Sequence, residues 1–363
     1  MKIEYENLTE SNKGFKQEFL RKLDAFLDNG YFILGNEVIN FELAFSKYCK
    51  AKYCIGVASG LDALTLGLSV LDLPKGSEVL VPSNTYIATI LAILNNGLVP
   101  VLVEPNLSTY NIDITELPKK ITRKTSALMI VHLYGKSCDM DAIVDFCESH
   151  KLKLIEDCAQ AHGADYKGRK VGTFGDIGAF SFYPTKNLGA LGDAGAILTN
   201  NEATMLKLKS LRNYGSSKKY YNDYVGFNSR IDELQASFLS LKLSQLDEMN
   251  KRKRNLARFY LNELDPKFTL PVEHDDYYDV YHIFNIRHSR RDQLREYLKE
   301  NNVTTEVHYP VPPHRQKAMA NIITGNYPIS DLIHSTTLSL PIAHWHKPED
   351  IQRVISLLNR FDV

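Results

Sequence analysis

Short apolar segments alternate with helix-like segments between residues 54 and 198, and this alternation constrains the fold more than any other feature of the chain. Strands separated by helices are typical of a parallel sheet with both faces covered. Two of the apolar segments follow one another so closely that we expect both in the same sheet. The pattern predicts an α/β fold with a large, mostly parallel mixed sheet flanked by helices. The predicted strands are Cys54–Val57, Glu78–Val81, Val99–Val103, Ala127–Val131, Leu152–Ile155, Ile177–Phe182 and Ala194–Leu198.

Two amphipathic helices are predicted before the first strand. The first has its apolar residues on one stripe between Phe15 and Leu27, and Gly30 supplies its stop. The second has the same spacing between Val38 and Tyr48.

The C-terminal part of the chain has a different pattern. The charged segment Arg230–Leu264 has helical periodicity with few breakers, and we expect it to form an arm leading out of the sheet domain. We therefore divide the chain into a large domain at residues 1–244, with its N-terminal helices, and a smaller C-terminal α+β domain at residues 245–363. The elements predicted for the smaller domain are strands at Val280–Ile286 and Val303–His308 and helices at Arg291–Glu300 and Pro348–Arg360.

Composition and charge exclude several classes of function. The chain has 363 residues, and its 43 basic residues balance 43 acidic ones, so no net field draws it to nucleic acid or an anionic membrane. Its five cysteines are scattered without metal-binding spacing, so we expect neither a disulfide framework nor a metal site. With no apolar leader at the start, these features favour a reducing cytoplasm. The basic run Lys251–Arg254 is expected to be a solvated helix face.

A lysine, Lys186, lies in the segment Ser181–Gly189 directly after a predicted strand, and Pro184 ends the strand just before it. In open α/β sheets, ligands bind outside the carboxyl ends of the strands, so this amine lies where a reactive group is useful. The alternative is an ordinary solvated surface lysine.

A second polar cluster, Glu156–Gly163, also follows a predicted strand. Its Asp157 and Gln160 are three residues apart and can reach one ligand from below and from the side. A carboxylate so placed can keep a pyridine nitrogen protonated, because contact at an effective dielectric constant of about 20 is worth roughly 5 kcal/mol. The alternative is that Asp157 caps the N-terminus of a helix.

The third candidate is a turn from strand to helix at Ser59–Gly60. The free N–H groups and the positive dipole end of the helix face such a turn, which makes it a candidate phosphate cradle. A plain structural turn is the alternative. The chain has no G-x-G-x-x-G and no G-x-x-x-x-G-K-[ST], so no motif indicates dinucleotide or nucleoside triphosphate binding.

Taken together and in order, these segments resemble the DegT-type sugar aminotransferases, which have the aspartate-aminotransferase-like fold type I. The resemblance covers nearly the whole chain, and its specific part is Ser181–Gly189 beside Glu156–Gly163. Supporting matches are Gly35–Glu42, Ser59–Leu64, Thr85–Thr89, His132–Gly135, Gly192–Asp193, Gly226–Arg230 and Leu338–Pro341.

The resemblance implies that the chain binds pyridoxal 5'-phosphate (PLP), with Lys186 as the catalytic lysine that condenses with its aldehyde. It places Asp157 at the pyridine nitrogen, Gln160 against the ring hydroxyl and Tyr86 on the ring face. The lysine is then the group that carries a proton during the reaction.

The resemblance also implies where the phosphate of PLP sits. Its contacts are the backbone at Gly60 and Leu61, the Ser181 hydroxyl and Asn228 of the partner subunit, so a homodimer with shared active sites is expected. The family usually has Thr where this chain has Leu61, so one side-chain contact is missing and the backbone N–H remains.

The implied reaction moves an amino group from L-glutamate to a nucleotide-linked keto sugar in deoxyamino-sugar biosynthesis. The run His308–Gln316 looks like the segment of members that act at C3 of a dTDP-linked 3-keto-6-deoxyhexose. The alternatives are a proline-rich surface loop for this run and structural roles for His162 and Arg230. The candidate substrate contacts are His162, Tyr183, Arg230, His308, Tyr309 and His314.

Several rival functions remain. Aminotransferases that act at C4 of a nucleotide-linked 4-keto sugar, or on scyllo-inosose, share the whole cofactor motif. Sugar 3-dehydratases carry His in place of the lysine, and Lys186 argues against them. A non-catalytic, PLP-binding regulatory protein on the same fold and a nucleotide-binding module without PLP are rivals from other classes.

Overall fold

A seven-stranded sheet forms the centre of the computed structural model, which describes residues 2–362. Its strand order is β1-β9-β8-β5-β4-β2-β3, and β9 alone runs antiparallel to both of its neighbours. The predicted mostly parallel mixed sheet is therefore confirmed. The strands are β1 (Tyr53–Val57), β2 (Glu78–Pro82), β3 (Val99–Val103), β4 (Thr125–Val131), β5 (Lys153–Asp157), β6 (Asp165–Tyr166), β7 (Arg169–Lys170), β8 (Ile177–Ser181), β9 (Gly195–Thr199), β10 (Ser216–Lys218), β11 (Tyr221–Asn222), β12 (Tyr277–Tyr278), β13 (Phe284–Arg287) and β14 (Thr337–Leu340).

Helices cover both faces of this sheet. Because side chains alternate along a strand, Ala127 and Met129 of β4 pack into one apolar cluster, and Leu128 and Ile130 pack into another on the opposite face. The helices of the described chain are α1 (Leu8–Asn12), α2 (Lys16–Asn29), α3 (Asn36–Cys49), α4 (Gly60–Ser69), α5 (Ile87–Asn95), α6 (Met140–His150), α7 (Glu202–Leu211), α8 (Glu233–Leu243), α9 (Leu246–Glu263), α10 (Arg291–Glu300), α11 (Pro328–Thr336) and α12 (Pro348–Arg360).

The two N-terminal helices are present as predicted. Gly30 ends α2 in the left-handed conformation, with φ of 65°. Helix α3 buries Val38, Phe41 and Phe45, whereas α2 fully buries only Phe19 and leaves Leu27 of its apolar stripe exposed.

The segment Arg230–Leu264 is two helices rather than one arm, so that prediction is wrong. Helix α8 packs on α3 beside the sheet, whereas α9 packs on α12, and the chain turns at Ser244–Gln245 between them. Helix α8 and the first turn of α9 share one apolar cluster, whereas Leu256, Ala257 and Tyr260 further along α9 belong to another.

The predicted strand at Val303–His308 is absent from the described chain. Its backbone forms only isolated bridges, from Val303 to Ile3 and from Glu306 to Ser339. The segment spans two different neighbours, so neither pairing extends into a ladder. The helices predicted at Arg291–Glu300 and Pro348–Arg360 are confirmed as α10 and α12.

A separate apolar cluster lies between Leu256 and Phe361 and also takes in Ile3 from the start of the chain. The domain boundary at residue 245 stays a prediction. All five cysteines are buried and free. Within residues 2–362, no helix has the length and apolar character that crossing a membrane requires.

Glu156 fixes the loop that follows β5 and β7. It is fully buried, and its carboxylate accepts hydrogen bonds from the N–H groups of Gly172 (2.7 Å), Phe174 (2.7 Å) and Gly175 (2.8 Å). The Nε2 atom of His132 lies 3.0 Å from the same carboxylate. One side chain therefore satisfies three backbone donors that the sheet does not pair.

We expect Glu156→Gln to lower the free energy of unfolding by about 3 kcal/mol, because an amide nitrogen would face a buried donor and weaken charge-assisted bonds. Urea unfolding of the variant measures this loss. Glu300→Gln, on the exposed end of α10, is the control and should show no comparable loss. Equal stability of the two variants would contradict the role of Glu156.

Candidate active site

The strand register brings three predicted site segments to one edge of the sheet. Asp157, the last residue of β5, pairs with Ala179 of β8. Ser181 ends β8 and pairs with Gly195, which in turn pairs with Val57 at the end of β1. The carboxyl ends of β5, β8 and β1 therefore meet, which is where open α/β sheets bind ligands.

The turn from β1 to α4 is packed against Ser181. A Cβ atom built on Gly60 would lie 2.4 Å from Cβ of Ser181 and 2.9 Å from its Oγ, so only glycine fits. Ser59 caps α4 by accepting from the N–H of Asp62 at 3.1 Å. The first amides of the helix, at Gly60 and Leu61, have no acceptor within it, so they and the Ser181 hydroxyl form a donor set that suits a phosphate.

Asp157 is a buried carboxylate held by neutral donors. The hydroxyl of Thr89 donates to its Oδ2 at 2.9 Å, and the N–H of Ala159 donates to its Oδ1 at 3.1 Å. Neither donor offsets the charge, and burial raises the pKa of Asp157. A cation such as a protonated pyridine nitrogen would complete the site. Residues 158–164 form turns, so the helix-cap alternative for Asp157 is wrong.

Lys186 is partly buried, and its amine lies against another side chain of the protein. Its Nζ lies 3.5 Å from Nε2 of His282. Burial lowers the pKa of Lys186 to about 8, and the charge of Asp157 opposes this shift. The surface-lysine alternative is therefore wrong, and the amine is partly neutral near physiological pH.

Gln160 joins the loop after β5 to the C-terminal part of the chain. Its Oε1 accepts from the N–H of Tyr134 at 2.7 Å, and its Nε2 donates to the hydroxyl of Tyr309 at 2.8 Å. The ring of Tyr309 lies 5.2 Å from the ring of Tyr86. Both rings line a cavity of about 180 Å³ that continues to Pro310.

The other predicted substrate residues have different surroundings. Tyr183 is half exposed, and His308 is bonded through Nδ1 to the Ser339 hydroxyl at 2.9 Å. Arg230 donates to Oδ1 of Asn213 at 2.7 Å. Asn228 is exposed on the single chain.

Two predicted substrate contacts are closed off from solvent. His162 is fully buried, with its ring near those of Phe180 and Phe182, and burial lowers its pKa to about 3. The His314 side chain is only 2% exposed and is paired with Asp331 at 2.9 Å. Both rings are enclosed by protein in this conformation, and their roles as substrate contacts stay predictions.

Three buried groups, His132, Glu156 and Cys158, lie close enough together to suggest a metal site. The N–H of Cys138 donates to Nδ1 of His132 at 3.0 Å, so the ring proton is on Nε2, where it faces Glu156. Both ring nitrogens are thus used in hydrogen bonds. The group is a hydrogen-bonded support for the loop and not a set of metal ligands.

Several side chains around Lys186 were not predicted from the sequence. Thr89 lies in the Thr85–Thr89 match but carries no motif of its own. Lys253 was assigned to a solvated face, yet it is buried and its Nζ donates to Oδ1 of Asn187 at 2.9 Å. The prediction for that residue is wrong, because helix α9 turns it towards the loop that carries Lys186.

We expect Lys186 of the cofactor-free protein to react with acetic anhydride as an amine of pKa about 8. Only the neutral amine reacts, so the rate should rise through pH 8, well below the range of a free lysine near 10.4. Competitive labelling followed by mass spectrometry of the Lys186 peptide measures the rate, with a short lysine peptide as the control. A titration that coincides with that of the peptide would contradict the burial of the amine.

Comparison with known proteins agrees with this geometry. The sequence profile of the DegT/DnrJ/EryC1/StrS aminotransferase family matches residues 14–359. The dTDP-3-amino-3,6-dideoxy-α-D-galactopyranose transaminase of Aneurinibacillus thermoaerophilus is 51% identical over 360 residues, which are 99% of this chain and 99% of that protein.

Two solved structures superpose on nearly the whole chain. DesV of Streptomyces venezuelae, in complex with a ketimine intermediate, has a TM-score of 0.97 at 41% identity and covers 99% of this chain and 100% of its own. NtdA of Bacillus subtilis, with bound cofactor PMP, has a TM-score of 0.93 at 32% identity and covers 98% of this chain and 84% of its own. The chain belongs to the DegT/DnrJ/EryC1/StrS aminotransferase family, and it is an aminotransferase with the α/β fold of these enzymes.

Proposed function

We propose that this protein is a PLP-dependent aminotransferase that moves the amino group of L-glutamate to C3 of a dTDP-linked 3-keto-6-deoxyhexose. The observation that carries the chemistry is the buried amine of Lys186 at the same sheet edge as the buried carboxylate of Asp157. The relative from A. thermoaerophilus, named for a dTDP-3-amino-3,6-dideoxy sugar, supports the choice of substrate because it aligns over the full chain. The product is an intermediate for deoxyamino-sugar biosynthesis.

The residues at the sheet edge fit PLP. The amides of Gly60 and Leu61 and the hydroxyl of Ser181 would hold its phosphate, and Asp157 would hold its ring nitrogen. Gln160 would lie against the ring hydroxyl. PLP supplies an aldehyde that condenses with amines and a protonated ring that withdraws electrons from the neighbouring carbon.

Lys186 supplies the proton transfer. Because its pKa is about 8, a useful fraction of the amine is neutral near pH 7 and can accept a proton from the α-carbon of glutamate. The same Nζ, now charged, would then donate this proton to the carbon of PLP that carried the aldehyde, which leaves the lysine neutral again. With PLP bound, Asp157 would pair as a carboxylate with the ring nitrogen and would favour its protonated form.

The substrate would enter beside the cavity between Tyr86 and Tyr309. Tyr309 is held by Gln160, so its ring has a fixed position next to the ligand. His308 contributes hydrogen bonds and not charge, because burial lowers its pKa to about 4. The diphosphate therefore needs another cation, and Arg230 is our candidate.

A homodimer with shared sites is part of the proposal. The single chain leaves large apolar side chains exposed along α2, along α3, between these two helices and in the segment 214–227, and such side chains suit a protein interface. Asn228 follows that segment and is itself exposed, so it is available to the phosphate of the partner subunit. The exposed residues are Leu20, Leu27, Tyr31, Phe32, Ile33, Ile39, Leu43, Tyr214, Tyr220, Tyr221, Tyr224, Val225 and Phe227.

The assay that tests the activity runs in reverse, with the PLP-loaded protein, 2-oxoglutarate and either a dTDP-3-amino-3,6-dideoxyhexose or a dTDP-4-amino-4,6-dideoxyhexose. We expect glutamate to form from the 3-amino sugar, and Lys186→Ala to reduce the rate at least about 1,000-fold. Glutamate from the 4-amino sugar alone would favour the C4 rival. A yellow protein without turnover on either sugar would favour the regulatory rival.

Shared sites are tested by coexpressing Lys186→Ala with Asn228→Ala chains. A mixed dimer of the proposed kind has one site with both lesions and one intact site, so once it is separated from the two homodimers it should show about half of the wild-type rate at limiting PLP. Each variant alone serves as the control. A mixed preparation no more active than the Asn228→Ala protein would show that Asn228 serves its own subunit.

A further inference from the structure

A fully satisfied amide lies next to the catalytic lysine. The Nδ2 of Asn187 donates to Oδ1 of Asn250 at 2.8 Å and to the carbonyl of Val280 at 3.0 Å. Its Oδ1 accepts from Nζ of Lys253 at 2.9 Å and faces Nδ1 of His282 at 3.3 Å. Lysine can only donate and a carbonyl can only accept, so these two partners fix which end of the amide is oxygen.

This amide fixes the tautomer of His282. The Nδ1 atom faces an oxygen that has no proton to offer, so Nδ1 carries the ring proton. The lone pair is then on Nε2, which is the atom 3.5 Å from Nζ of Lys186. A hydrogen-bond acceptor is thus aimed at the catalytic amine.

His282 stays neutral in these surroundings. Burial lowers its pKa well below the ordinary value, and the charges of Lys186 and Lys253 lower it further, as do the neighbouring His308 and His162. A neutral ring keeps the Nε2 lone pair available through the physiological range. Protonation would remove the acceptor and set two cations against each other.

We propose that His282 is a positioning residue for Lys186. Its Nε2 accepts one N–H of the lysine whenever the amine is free, and this contact directs the lone pair of the amine towards the reacting carbon. His282 takes no proton itself, and the transferred proton stays on Nζ of Lys186. The inference rests on the proposed function, because it concerns the step in which Lys186 acts as the base.

Two substitutions distinguish His282 as a hydrogen-bond acceptor for Lys186 from His282 as a residue that only fills space in the core. His282→Gln places an amide oxygen near the position of Nε2 and keeps an acceptor for Lys186. His282→Asn reaches only to the position of Nδ1, so it keeps the contact to Asn187 and loses the one to Lys186. His288→Gln is the matched control, because His288 is also buried but lies against Phe268 and Phe361.

The first measurement needs no turnover. Competitive acylation of the cofactor-free proteins gives the pKa of Lys186, and we expect His282→Asn to lower it by about one pH unit because the ammonium loses an acceptor. His282→Gln and His288→Gln should leave it unchanged. A wild-type value in His282→Asn would overturn the proposal, whatever the enzyme does.

The second measurement is the single-turnover reaction of the PLP-loaded proteins with L-glutamate and with α-deuterated L-glutamate. We expect His282→Asn to slow the reaction about 10- to 100-fold with a larger isotope effect, and His282→Gln to remain within about threefold of wild type. Equal losses in both variants, with equal losses in thermal stability, would show a structural role only and overturn the proposal. If the wild-type protein fails to react with glutamate, the proposed function fails, and the acylation result still reports on the contact.

Discussion

The burial of two ionisable groups at one edge of the sheet is the constraint on which the site depends. Removal from water disfavours the charged form of each group, so the pKa of Lys186 falls and that of Asp157 rises. Their mutual attraction limits both shifts without cancelling them. The amine is therefore reactive near neutral pH, and the carboxylate accepts its two hydrogen bonds from neutral donors, so a cationic ligand would be well placed beside it.

The surroundings of this pair are built to keep it rigid. Glu156 ties the loop beyond β7 to β5, Gln160 ties the next turn to Tyr309, and Asn187 ties the lysine loop to α9 through Lys253. Each of these side chains forms its hydrogen bonds with the backbone or with another buried side chain. Catalytic groups held in this way lose little orientation when a ligand arrives, which is the main contribution a protein makes to a cofactor reaction.

Sequence reasoning worked best where a pattern is local. The seven strands of the central sheet lie within one or two residues of their predicted ends, because a short apolar run indicates a strand that is buried on both faces. Prediction from the sequence failed where the secondary structure of a segment depends on which distant segments pack against it. The pattern of Arg230–Leu264 predicts one helical arm, but the chain turns at Ser244–Gln245, and α8 packs on α3 whereas α9 packs on α12. The pattern of Val303–His308 predicts a strand, but its backbone pairs only at single residues, with Ile3 and Ser339.

The sequence by itself determined the sheet, its alternating helices and the order of the segments that carry Lys186, Asp157 and Gly60, because each of these depends on neighbours in the chain. Only the tertiary structure decided which polar groups are buried together. Lys253 and His282 looked ordinary in the sequence and lie beside the catalytic lysine, whereas His162 and His314 looked like ligand contacts and are enclosed by protein. Whether a polar side chain is buried depends on the distant segments that pack around it. The local spacing of residues in the sequence does not reveal which segments these are.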